Sequence, residues 1–137
     1  MGLYLCVFDG EEDVDGVDVG GYDDWGVFIA AIVDHAENGV RGSRFPVLTL
    51  HSDSDGQWSA EECVELERAC DEIERIFTRL PAAPPHDGWK GQLARQLGLR
   101  FETLRDCFFD VDGENLLERL RGLAQLARKI DGPILFQ

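Results

Sequence analysis

Three Asp-x-Asp-Gly tetrads are the stretches of this chain whose residue types and spacing could do chemistry. They are Asp13-Val14-Asp15-Gly16, Asp53-Ser54-Asp55-Gly56 and Asp110-Val111-Asp112-Gly113. Paired carboxylates ahead of a glycine turn can hold a divalent cation or move protons. Counted from His51, the second tetrad follows the register of a calcium loop, with Asp53 third, Asp55 fifth, Gly56 sixth, Ser59 ninth and Glu62 twelfth. His51, however, stands where a carboxylate is needed, and Ser59 with Glu62 fits a capping box, in which each side chain bonds the other's backbone amide. Asp and Gly are also ordinary turn residues. A divalent-cation site or metal-dependent hydrolase built on Asp53, Asp55, Asp110 and Asp112 is therefore carried as the alternative reading.

Nucleophilic chemistry finds less support. Cys107 to Gly113 resembles the nucleophile strand of haloacid-dehalogenase-type phosphatases, but Glu114 stands where that motif has Thr. No Ser or Cys lies in a Gly-x-Ser-x-Gly context, and His35, His51 and His86 are scattered over a helix end, a strand end and a linker. No catalytic residue and no cofactor is assigned, and the chain reads as non-enzymatic.

Charge is the stronger signal. The net charge is −14, and residues 1–40 hold ten acids with no Lys or Arg. Such a field disfavours nucleic acid and anionic membrane and favours a basic protein as partner. Leu93-Ala94, Gly98-Leu99 and Leu104 have helix-turn-helix spacing, but the presumed recognition segment, Arg100 to Asp106, is charge-balanced and the chain strongly acidic, so phosphate contacts lack support. The acids of the first half, with nearby aromatics, make the candidate partner-binding set: Asp9, Glu11, Glu12, Asp13, Asp15, Asp18, Tyr22, Asp23 and Asp24 in loop 9–24, and Asp53, Asp55 and Trp58 in loop 52–58. Tyr22 and Trp58 are the proposed aromatic anchors, residue types enriched at binding hot spots.

The elements that position these residues follow from periodicity. Leu3–Phe8 reads as an interior strand, Asp9–Gly16 as an acidic turn and Gly16–Gly20 as a short returning strand. Trp25, Phe28, Ile29, Ile32, Val33 and Ala36 share one helical face, capped by Asp23 or Asp24 and stopped by Asn38-Gly39. Phe45–His51 reads as a buried strand, followed by a helix with Cys63, Leu66, Cys70, Ile73, Phe77 and Leu80 in one stripe. Residues 81–88 are a Pro-rich surface connection, and Trp89–Leu97 is a short helix ended by Gly98. Cys107–Val111 reads as a strand, Asp112-Gly113 opens the last helix with Leu116, Leu117, Leu120, Leu123, Ala124, Ala127 and Ile130 on its buried face, and Ile134–Phe136 is the last strand. The expectation is an α+β (α/β-like) fold in a single domain over 1–137. It has a single mixed sheet of about five strands, mostly parallel after the first hairpin, covered by about four helices.

Cys6, Cys63, Cys70 and Cys107 fall on apolar faces without metal-ligand spacing, which suits reduced thiols in a cytoplasmic protein. The first residues lack the basic region of a signal peptide, and no apolar run approaches a membrane span.

Three stretches carry a family resemblance: Met1 to Gly10, Phe45-Pro46 leading to Leu50 through Ser59, and Asp106 to Gly113. Together they resemble the immunity protein 70 family of bacterial polymorphic toxin systems. The resemblance implies an α+β cytoplasmic protein, encoded beside a toxin, that neutralises the toxin domain by binding it. The acidic surface agrees with this, since a basic toxin domain would be steered toward it. The identity of the toxin and the oligomeric state are left open.

Overall fold

A computed structural model describes residues 2–53 and 56–137. Asp55, one of the candidate residues, lies outside the described residues. The sheet has four strands in the order β2-β1-β4-β3, namely β1 (Gly2–Asp9), β2 (Glu12–Gly21), β3 (Gln57–Trp58) and β4 (Ile134–Phe136). All its neighbouring pairs are antiparallel, so the parallel arrangement expected after the first hairpin is not what forms. The helices are α1 (Tyr22–Ala36), α2 (Pro46–Thr49), α3 (Glu62–Phe77), α4 (Gly88–Leu97) and α5 (Leu116–Ile130), with a 3-10 turn at Leu104–Cys107. The class is α+β, with four strands among the described residues in place of about five.

Two expected strands take other forms. Phe45–His51 contains the short helix α2, because Pro46 presets the helical φ at its first position and buried Glu37 organises its start. The Glu37 carboxylate accepts from the amides of Gly42 (3.1 Å), Arg44 (3.1 Å) and Phe45 (2.9 Å) and from the Thr49 hydroxyl (3.1 Å). Cys107–Val111 is the end of the 3-10 turn followed by a loop. That turn is opened by the Asp106 carboxylate, which accepts from the amides of Glu102 and Thr103.

The acidic stretch Asp9–Gly16 is mostly strand. Gly10, at φ +68°, takes the first central position of a two-residue turn, and pairing resumes at once with Asp9 opposite Glu12. The register shifts twice, leaving Val14 and Val19 as extra residues on β2.

The core lies on one side of the sheet. Leu3, Leu5, Val7, Val17, Val19, Trp58, Ile134 and Phe136 face the buried stripes of α1, α3 and α5. Aromatic rings bind these layers, with Trp58–Phe136 centroids 4.7 Å apart and Phe28–Phe108 5.3 Å apart. The capping box holds as expected, with Ser59 and Glu62 each accepting from the other's amide at 3.1 Å. Tyr4, Cys6, Phe8 and Leu135 belong to the opposite face and take no part in this core. β1 is therefore central in the sheet but interior on one face only, a common arrangement for antiparallel sheets.

Candidate functional site

The β-pleat sorts the candidate acids onto different surfaces. Residues opposite one another in an antiparallel pair share a face. Asp15 pairs with Val7 and so projects to the helix side, where Arg119 of α5 meets it. Asp13 pairs with Phe8, and Asp18 with Tyr4, so both project to the uncovered side. The Tyr4 hydroxyl donates to Asp13 Oδ2 at 3.2 Å, and its ring lies over Gly16, where a Cβ would come within 2.0 Å of the phenolic oxygen. Burial first, then the Asp13 charge and hydrogen bond, push the Tyr4 phenol above its ordinary pKa. Asp9, Glu11 and Glu12 are exposed around the hairpin tip.

A second group forms where β2 runs into α1. Asp24 accepts from the amide of Gly21 at 2.7 Å, closing the helix start, and from the indole N–H of Trp89 at 3.0 Å. Trp89 packs on Gly20, whose φ of +97° and close contact with the indole suit only glycine. The Pro-rich connection thus delivers the start of α4 to this junction. Between them opens a cleft of about 820 Å³, lined by Asp18, Asp23, Asp24, Asp87, Trp89 and Lys90 among others. The Lys90 ammonium lies 5.1 Å from the Phe109 ring centre, 5.7 Å from Phe108 and 5.8 Å from Trp89. Burial holds its pKa below the ordinary lysine value, with the charge of Asp24 opposing that shift.

The two proposed aromatic anchors are not free. Trp58 is fully buried because its pairing with Ile134 turns the ring to the core side, and its indole N–H donates to Val47 O at 2.8 Å. It is core, not an exposed anchor. Tyr22 is half-buried and packs against the same core. Residues the charge argument passed over stand on the surface instead: Tyr4, Phe8 and Leu135 on the open face, and Asp87, Trp89 and Lys90 in the cleft. The alternation of Leu3, Leu5 and Val7 with Tyr4, Cys6 and Phe8 was visible. Both sets are apolar, however, so periodicity alone could not tell which faced helices.

Asp53 and Asp110, two of the alternative cation-site residues, lie toward opposite edges of the sheet. Asp53 is exposed in the loop leading to β3, whereas the loop at Asp110 is bonded to β2 through Val111 N and Asp18 O, at the opposite edge. Asp110 is buried, and its Oδ1 accepts from the amides of Asp112 (2.9 Å) and Glu114 (3.0 Å), which makes it the organiser of its own turn. Asp112 is exposed. Among the described residues, no group of three or more His, Cys, Asp or Glu side chains is placed to hold a metal ion.

A family model described as Immunity protein 70 matches residues 3–136. The chain belongs to that family. No curated protein matches the chain, and no solved structure does. The Immunity protein 70 match runs from the first core residue of β1 to the last residue of β4, so it takes in the whole sheet together with the hairpin and the cleft. Among the described residues, no helix is long and apolar enough to cross a membrane.

Proposed function

We propose that this protein is a non-enzymatic immunity protein that neutralises a cognate toxin domain by binding it directly, in the cytoplasm. Family membership supports the class. The observation that carries the binding mode is the uncompensated acidic surface of the hairpin and the β2–α1 junction. Asp9, Glu11, Glu12, Asp13, Asp18 and Asp23 are exposed, and none of them has a salt bridge among the described residues. Asp15 and Asp24, by contrast, are used within the fold. Their roles are to fix the hairpin and the helix start that present the other acids.

A surface of this kind steers a basic partner and raises its association rate, an effect that salt screens. The partner in this reading is therefore a basic toxin domain, encoded beside this chain. Kinetic binding of that domain tests the reading. Neutralising Asp13, Asp18 and Asp23 together to Asn is expected to slow association about ten-fold at low salt, within the range such steering commands. An unchanged association rate and unchanged salt dependence would reject the acidic surface as the docking site.

A further inference from the structure

The hairpin acids border a sheet face on which, among the described residues, no helix lies. Tyr4, Cys6 and Phe8 of β1 alternate with the core residues Leu3, Leu5 and Val7 and point away from them. Leu135 pairs with Cys6 on one side and with Gln57 on the other, so all three share this face. Tyr4, Phe8 and Leu135 are only half-buried, while Cys6 is sealed beneath its neighbours. Asp13 and Asp18 stand on the β2 side of the patch, and exposed Gln57 on the β3 side.

We propose that this uncovered sheet face is the surface on which a basic protein domain docks, with Tyr4, Phe8 and Leu135 as its apolar centre and Asp13 and Asp18 as its acidic margin. The inference rests on the immunity reading and names the face through which it works. An apolar centre with a charged rim is the usual anatomy of a protein interface. Charge selects the occupant. A second copy would bring another −14 chain, with Asp13 and Asp18 of its own, against the same acids. A basic domain meets them with opposite sign. Asp18 and Gly2 also line the cleft at the β2–α1 junction, so the face continues into a second acidic region.

Part of each sheet edge is already bonded, which favours the face over the edge for a partner. On β2, Gly16 N is bonded to Asp15 Oδ1 (2.8 Å), Gly20 N to Asp18 Oδ1 (3.0 Å) and Asp18 O to Val111 N (3.1 Å). The Gly16 carbonyl accepts from Arg119. On β3, His51 Nε2 lies 2.9 Å from Gln57 O. Addition of a partner strand, which needs these backbone groups free, has no place to pair along them.

The test is the equilibrium affinity of the full chain for the toxin domain encoded in the adjacent reading frame. Phe8→Ser and Leu135→Ser are each expected to weaken binding about ten-fold or more, as hot-spot truncations do. Gln57→Arg, at an exposed position that leaves the core untouched, is expected to weaken it about three-fold or more by adding a cation opposite a basic surface. Val27→Arg and Val64→Arg, exposed on α1 and α3, are expected to leave affinity unchanged. Unchanged binding in Gln57→Arg and in both serine variants, with the unmodified chain still binding, overturns the face while leaving the immunity reading in place. A dimer of this chain that Phe8→Ser dissociates in sedimentation overturns it by making a second copy the occupant. No binding by the unmodified chain overturns the immunity reading and the face with it.

Discussion

Arg119 of α5 lies 3.2 Å from Asp15 Oδ1 on β2, joining the last helix to the outermost strand. The same guanidinium comes within 3.5 Å of Asp110 Oδ2 and 3.3 Å of Glu114 Oε2. Three acids therefore share one cation. Asp15 sits in the middle of the acidic strand, yet this contact turns it from surface charge into a brace for the hairpin.

Loss of that brace is expected to be costly. Arg119→Met leaves buried Asp110 without its cation, and leaves Asp15 with only its bond from the Gly16 amide. Partial exposure of the network moderates the effect, so the expected destabilisation is about 1–3 kcal/mol. Chemical denaturation measures it. Asp15→Asn should cost less than Arg119→Met, because Asp110 and Glu114 keep the guanidinium.

Tyr4 and Asp13 are coupled across the open face, and titration reads that coupling. The charge and hydrogen bond of Asp13 favour the neutral phenol. Asp13→Asn is expected to bring the Tyr4 pKa back toward the ordinary value, although burial, the larger cause, will keep it raised. Ultraviolet titration of a Tyr22→Phe background isolates the signal.

Glu37 should contribute to acid sensitivity. Burial alone would raise its pKa, but the amides of Phe45, Arg44 and Gly42 and the Thr49 hydroxyl outweigh that and hold it below the ordinary glutamate value. A carboxyl depressed on folding adds stability that is complete above its unfolded pKa, about 4.3. That stability disappears as pH falls through the lower folded value. Glu37→Gln is expected to cost about 1–3 kcal/mol near neutrality, since it leaves buried amides poorly paired. The loss relative to the unmodified protein should shrink in acid, as followed by melts across pH.

The four thiols should be inert in the native state. All are free and buried, with Cys63 pushed up to about 11 and Cys70 to about 12, in each case chiefly by burial. A thiol reagent at mildly alkaline pH is expected to modify none of them until denaturant is added. Rapid native labelling would contradict the buried placement.

Periodic stretches were legible in the sequence. α1, α3, α5, β1 and β4 follow from apolar spacing, and Ser59 with Glu62 marked the start of α3 correctly. What escaped depends on contacts between distant residues. Glu37 organises the start of α2 from an earlier turn, and nothing local to Phe45–His51 announces it beyond Pro46. The strand β3 is two residues long and exists because Trp58 pairs with Ile134. Trp58 looked like an anchor because Asp53 and Asp55 precede it, but burying its large ring outweighs that polar setting. The acidic stretch on β2 read as a loop, since charge is depleted in strands. An edge strand tolerates it, and charge there guards against unwanted pairing.

In the proposed function, the acidic hairpin and open sheet face receive a basic toxin domain. The most direct test is the association rate with the domain encoded next door, measured from low to high salt for the unmodified chain and for Asp13→Asn/Asp18→Asn/Asp23→Asn. Fast, salt-sensitive association is expected for the unmodified chain and slower, less salt-sensitive association for the triple variant. Equal rates with equal salt slopes would contradict it.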